Sequence, residues 1–271
     1  MFFHQAHNSI GGDIYNAFVY RGLNWLTHLH KGFELTIALS GTIEAEAGEK
    51  SYALKPGDAM LLTPYQLHSY RSEPDTLAFV AVFSGNYVES FARMTAGREA
   101  ENPVIALPNE TRAYIDKNML FPQSKESVYP SGDEVVAIAK PNALTLKACL
   151  YAVCAEFYSR TRFLERTRDN TLALDILAYI ENNYASDISL KTMADSLGYD
   201  FRYISRIFGK TFEINFKTLV NQYRCDRAKS LISSTDDTLS AIAMNSGFQS
   251  IRSFNRVFRE LTGSSPSDLR K

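Results

Sequence analysis

Apolar and polar residues alternate in short runs over the first third of the chain, and further on the apolar ones recur every three or four positions. Within residues 15–83 the runs Phe33–Leu39, Thr42–Ala47, Ala59–Leu62 and Leu77–Phe83 are separated by Gly41, Gly48, Pro56-Gly57 and Glu73-Pro74. Short apolar runs with Gly and Pro at that spacing predict the strands of a sandwich or small barrel. From Asn109 the period lengthens, predicting a short helix over Glu110–Leu120 and a longer one over Asn142–Arg162. Leu144, Ala148, Tyr151, Ala155 and Tyr158 share one stripe of the longer helix, and Cys154 and Phe157 widen its apolar face. That stripe predicts a contact with a second copy of the chain. The polar run Arg160–Asn170, with four arginines, predicts an interdomain hinge. Helices are then predicted over Thr171–Tyr184 and Phe216–Ile232.

Around Phe216–Ile232 one pattern occurs twice. The first copy has Leu190, Met193, Ala194, Leu197, Gly198 and Tyr199, then Tyr203, Ile204, Arg206, Ile207 and Phe208. The second has Leu239, Ile242, Ala243, Ser246, Gly247 and Phe248, then Ser253, Phe254, Arg256, Val257 and Phe258. Each reads as a short helix closed by Gly, a turn, and a second helix that is apolar on one side and basic on the other. Such helix-turn-helix units lay their second helix in the major groove of DNA. A helix joining them would hold the two reading helices near the spacing of successive groove faces, about 34 Å. The outward polar positions are Arg202, Ser205 and Arg206 in the first motif and Arg252, Asn255 and Arg256 in the second. Arginine pairs bidentately with guanine and asparagine with adenine. The competing role for Arg206 and Arg256 is a phosphate or intrahelical contact, and Arg224 reads as a brace for the joining helix.

Charge and cysteines change this picture little. Net charge is −1, while residues 171–271 hold 13 basic against 11 acidic side chains, so the placement of arginines says more than their number. Three cysteines without a CxxC pair read as reduced thiols of a cytoplasmic protein. No apolar run reaches the roughly 18 residues of a membrane span, and Met1–Gln5 lacks the features of a signal peptide.

Residues 172–270 resemble the AraC/XylS family of bacterial transcription regulators. The resemblance is strongest over Ala241–Arg270, with Ile242-Ala243, Gly247-Phe248, Phe254-x-Arg256-x-Phe258 and Gly263-x-x-Pro266. It implies double-stranded DNA as partner, a small-molecule effector, and RNA polymerase if the output is activation. Two positions depart from the family: Glu213 stands where Gly is usual, and Gly209 lies inside the predicted helix. Both predict a first motif frayed at its end or following a different path.

A second constellation lies upstream: Gly22-(x5)-His28-Leu-His30-(x3)-Glu34-(x6)-Gly41, then Pro64-(x3)-His68. It resembles the first cupin motif in full and the second in part, with Gln66 in place of Gly and the histidine one residue early. His28 and His30 share a strand face by the period of two. Glu34 and His68 joining them would make three imidazoles and a carboxylate, a set for zinc, iron, nickel or manganese. The other readings are the polar lining of an effector pocket, with Trp25, Tyr20 and Tyr70 stacking on a ligand such as a sugar, and plain barrel structure. No cofactor is required by the regulator reading.

The expectation is therefore an α+β chain. A cupin-like β-barrel with flanking helices, for effector binding and dimerisation, occupies residues 1–165. An all-α DNA-binding domain occupies 166–271, with helix-turn-helix motifs at about 190–210 and 239–261. The rivals are a metal-dependent cupin enzyme with a DNA-binding tail, and a constitutive DNA binder whose barrel only dimerises.

Overall fold

The computed structural model describes residues 3–4, 14–120, 123–128, 134–138, 141–166, 168–212 and 214–270. The chain divides into two compact units, Gly11–Arg166 and Thr167–Lys271.

The first unit is built on antiparallel strands: β1 (Tyr15–Arg21), β2 (Trp25–Leu29), β3 (Phe33–Ser40), β4 (Ile43–Ala47), β5 (Lys50–Leu54), β6 (Asp58–Leu62), β7 (His68–Ser72), β8 (Leu77–Phe83), β9 (Arg98–Ala100), β10 (Val104–Ala106), β11 (Gln123–Val128), β12 (Glu134–Ile138) and β13 (Phe163–Glu165). One sheet runs β10-β6-β3-β8-β1-β12-β11, and β2-β7-β4-β5 lie side by side in another. The centre of the larger sheet is β3, paired with both β6 and β8. It is apolar along most of its length because both of its faces are covered. Phe33, Leu35 and Ile37 join a core with helices α1 (Glu89–Met94), α2 (Asn109–Ile115) and α3 (Ala143–Arg160). On the other face, Ala38 packs with Ile43, Ala45, Leu54 and Tyr70 between the sheets. The alternation of β3 therefore turns Glu34 and Thr36 into the barrel interior.

The predicted strands and helices of residues 33–162 are present, with three corrections. First, β11 and β12 form a hairpin that extends the larger sheet where no element was expected. Second, Cys154 and Phe157 do not widen the Leu144 stripe; with Leu146, Cys149, Leu150 and Val153 they form the opposite, buried face of α3. Leu144, Tyr151 and Tyr158 are 82%, 37% and 46% exposed. Third, the run 160–170 is not a free hinge throughout. Phe163–Glu165 pairs as β13 with β9, and the Arg166 guanidinium donates to Thr63 Oγ1 at 2.7 Å and Pro64 O at 2.8 Å. Arginines in sequence suggested solvent; pairing with a distant strand and a buried guanidinium decided otherwise.

The second unit is helical: α4 (Arg168–Asn183), α5 (Leu190–Leu197), α6 (Phe201–Phe212), α7 (Phe216–Ser234), α8 (Leu239–Asn245) and α9 (Ile251–Thr262). Leu219, Tyr223 and Ala228 of the joining helix α7 are fully buried, so it forms part of the core rather than a bare spacer. No helix among the described residues is long and apolar enough to cross a membrane.

Candidate nucleic-acid interface and barrel cluster

Both helix-turn-helix units are set by capping chemistry. Ser189 and Thr192 form a capping box at the start of α5, and Gly198 ends it at φ +73°. Asp200 Oδ1 accepts from the backbone N–H groups of Arg202 and Tyr203 to open α6. In the second unit Thr238 caps α8 and Ser250 caps α9. Each cap satisfies an otherwise orphaned N–H, a contribution of about 1 kcal/mol. Gly247 is required twice over. Its φ is +88°, and a Cβ there would stand 2.6 Å from Ala185 Cα. The same chain segment is gripped by Arg224, which donates to Tyr184 O at 2.7 Å and Ser186 O at 2.9 Å.

The reading helices bury one side and expose the other. Ile204, Ile207, Phe208 and Phe212 are buried in α6, and Phe254, Val257 and Phe258 in α9. Arg202, Ser205 and Arg206 lie exposed on α6, and Arg252, Asn255 and Arg256 on α9. Their environments differ. Arg206 lies over the Tyr203 ring at 5.4 Å, and Arg256 is held bidentately by Glu260 at 2.8 and 2.9 Å. The side chains of Arg202 and Arg252 make no hydrogen bond or ion pair among the described residues. The helix α6 runs through Gly209 to Phe212 without fraying, and a Cβ at Gly209 would meet open space. Glu213 lies outside the described residues.

In the barrel unit the structure brings His28, His30, Glu34 and His68 together. They are 1%, 2%, 0% and 2% exposed, and one ligand atom from each lies within 4.8 Å of the others. The strand β2 supplies His28, opposite His68 of β7 in the ladder, while His30 lies one residue beyond the end of β2 and Glu34 on β3. Every imidazole spends its Nδ1–H on a backbone carbonyl: His28 on Leu26 at 2.8 Å, His30 on Gly32 at 3.1 Å and His68 on Gln66 at 2.7 Å. That fixes each Nδ1 as a donor and turns each Nε2 inward. His30 Nε2 lies 2.9 Å from Glu34 Oε2 and His68 Nε2 3.4 Å from Glu34 Oε1. The Nε2 atoms of His28 and His68 are buried without a hydrogen-bond partner among the described residues. A buried orphan of this kind costs about 1–3 kcal/mol.

Burial alone would raise the Glu34 pKa, but the His68 and His30 imidazoles beside it hold the carboxyl well below its usual range. Burial, with the neighbouring His68, pushes His28 well below the ordinary histidine value and keeps it neutral. Tyr70 donates to Glu34 Oε1 at 2.6 Å and Thr36 to the same oxygen at 3.3 Å. Sequence reasoning missed Thr36, although its place two residues after Glu34 on one strand is the available signal. Trp25 is half-buried, edge-on to Tyr20 at 4.8 Å and 5.5 Å from the His28 ring. The turn before His68 is bonded on several sides: Tyr65 N–H donates to His30 O at 2.7 Å, with Tyr65 at φ +61°, and Arg166 holds Thr63 and Pro64.

Two capped helix-turn-helix units carried on a chain with an antiparallel β unit define a transcription regulator with separate ligand-binding and DNA-binding parts, not an enzyme. Comparison with known proteins agrees. Residues 21–113 match the model of the AraC-like ligand binding domain, and residues 193–271 that of a helix-turn-helix domain. The uncharacterized HTH-type transcriptional regulator YfiF of Bacillus subtilis is 24% identical over 253 residues, covering 91% of this chain and 79% of that protein. An uncharacterized HTH-type transcriptional regulator of Staphylococcus aureus is 32% identical over 92 residues, 34% of this chain, and the match spans only 12% of that relative's length. In structure the chain is similar to ToxT from Vibrio cholerae, with a TM-score of 0.57, 12% identity and 94% of each chain covered. The chain thus joins an AraC-like ligand binding domain to a helix-turn-helix domain, the layout of an AraC-type transcription regulator.

Proposed function

We propose that this chain is a cytoplasmic homodimer that reads duplex DNA with Arg202, Ser205, Arg206, Arg252, Asn255 and Arg256, under the control of a small-molecule effector held by the barrel. The observation that carries the reading is the outward face of α6 and α9: exposed arginines at i, i+4 on two independently capped helices of one unit. Arg202 and Arg252 are the base readers. Arg206 and Arg256, engaged by Tyr203 and Glu260, serve phosphate contact and orientation. As an activator the protein would also touch RNA polymerase.

The effector reading rests on Trp25 and Tyr20, a half-buried aromatic pair beside Leu26, which is 74% exposed. Such a lip suits a ligand with an apolar face, such as a sugar ring. One structure of ToxT is of a fatty-acid-bound form, which makes a fatty acid the second ligand class to try. The dimer reading rests on the exposed Leu144, Tyr151 and Tyr158 stripe of α3. A second copy of that face would cover it. Effector binding shifts the balance between two dimer arrangements only by its differential affinity for them.

The test begins with selection of a preferred duplex from random sequence by the full-length protein. Arg202→Ala and Arg252→Ala should each weaken binding to that duplex by about 1–3 kcal/mol and relax preference at one base position. Binding unchanged in the double variant would overturn the assignment. The effector part is tested by a thermal-shift screen of sugars and fatty acids, with hits expected to change DNA affinity by about 5–150-fold. DNA affinity unmoved across the panel would leave a constitutive binder.

A further inference from the structure

We infer that His28, His30, Glu34 and His68 form a binding site for one first-row divalent transition-metal ion. The argument is one of lone pairs. Backbone carbonyls of Leu26, Gly32 and Gln66 take the Nδ1 protons and turn all three Nε2 atoms toward one point beside the Glu34 carboxylate, where the proton that His30 Nε2 donates to Glu34 is the one an incoming ion would displace. The side chains that hydrogen-bond to Glu34 are His30, Thr36 and Tyr70. No Lys or Arg side chain among the described residues hydrogen-bonds to or ion-pairs with that carboxylate. The Nε2 atoms of His28 and His68 have no hydrogen-bond partner among the described residues. A cation at the centre answers every one of these vacancies together.

The dimensions agree. Ligand bonds of about 2.0–2.2 Å set neighbouring ligand atoms roughly 3–4 Å apart, within the 4.8 Å that bounds this group. The same closeness leaves no room between these atoms for a sugar ring, so an organic effector belongs at the Trp25 lip and not inside the cluster. The donor set, three imidazoles and one carboxylate without sulfur, suits zinc, iron, cobalt or nickel and not calcium or magnesium. The outer partners are also of the kind metal sites use. Carbonyls orient the rings, and Tyr70 and Thr36 orient the carboxylate. Three of the chain's five histidines are gathered here, and the remaining two, His4 and His7, serve as controls. A bound ion would tie β2 and β7 to β3 of the larger sheet.

This inference is independent of the regulatory reading, and its test contains no DNA. Full-length protein without a polyhistidine tag is stripped with a chelator and titrated with Co2+, then back-titrated with Zn2+. Visible d–d absorption at one ion per chain is expected, with quenching of Trp25, the only tryptophan, whose ring lies 5.5 Å from His28. His28→Gln and His68→Gln should each weaken Co2+ binding by at least about a hundredfold, and His4→Gln with His7→Gln should leave it unchanged. Tyr70→Phe keeps all four ligands and the ring shape, and should weaken binding by about 10–100-fold. It decides the question should either ligand variant fail to fold. Less than about a tenth of an ion per folded chain, binding without any change in Trp25 emission, or affinity undiminished in folded His28→Gln, His68→Gln or Tyr70→Phe would each overturn the site.

Discussion

Substituting Gly247 by Ala should damage the DNA-binding unit far more than the same change at Gly198, although both glycines end the first helix of a helix-turn-helix. Both have positive φ, +88° and +73°. A side chain in that region costs about 1–2 kcal/mol. For Gly198 nothing among the described residues lies within 4 Å of the added Cβ, so the backbone term is the whole effect. For Gly247 the Cβ would sit 2.6 Å from Ala185 Cα and 2.9 Å from the carbonyl oxygens of Ala185 and Tyr184. Those are backbone atoms of a segment that Arg224 also grips, so they cannot swing aside as a side-chain tip would. Overpacking of that kind adds about 1–3 kcal/mol, for a total of about 2–5 kcal/mol against 1–2 for Gly198→Ala. In a domain of about a hundred residues each kcal/mol lowers Tm by roughly 4–8 °C. The two units can be followed separately in the intact chain. Far-UV circular dichroism is dominated by the helical unit, and fluorescence of the lone Trp25 reports the barrel. The dichroism transition of Gly247→Ala should fall by at least about 4 °C more than that of Gly198→Ala, with the Trp25 transition unmoved. Equal shifts in the two variants would refute the reasoning, because the close approach would then cost nothing.

Two further outcomes are expected. Leu144→Glu with Tyr151→Glu should convert a dimer to a monomer in sedimentation while the Trp25 emission stays native, since both side chains lie on the exposed face of α3; an unchanged mass removes that face from the interface. Cys149, Cys154 and Cys225 are buried and their thiols are pushed up in pKa by burial, Cys225 to about 12. A thiol reagent at neutral pH should therefore label none of them in the native protein and all three in denaturant, and rapid native labelling would contradict the packing.

The parts legible in sequence were those whose signal is local. Strands β3, β4, β6 and β8 followed from apolar runs bounded by Gly and Pro, and the helix-turn-helix units from glycines at fixed offsets from apolar and basic positions. The barrel cluster was legible because His28 and His30 share a strand face by the period of two, and the resemblance to the cupin motifs linked Glu34 and His68 to them. What escaped was decided at a distance. The strands β11 and β12 mix Lys125, Glu126 and Glu134 into their runs and exist as a hairpin added to the edge of β1. β13 lies among arginines and is a strand only because β9 is there to pair with it. The helix α3 is apolar on two sides, and periodicity cannot say which side is covered: Leu146 and Phe157 turned out buried and Leu144 and Tyr158 exposed. Nor does sequence show which arginines are already engaged, as Arg256 is by Glu260.

The turn Thr63–Gln66 shortens the distance a signal must travel. Its Tyr65 N–H holds the carbonyl of His30, its Gln66 carbonyl holds the ring of His68, and its Thr63 and Pro64 hold Arg166, the last residue of the barrel unit. Tyr65 sits at φ +61°, a conformation that costs a non-glycine residue about 1–2 kcal/mol. The turn therefore keeps its shape by virtue of its outside bonds and against its own preference. The cluster and the point where the chain leaves the barrel unit are thereby joined through four residues of backbone, with no strand between them.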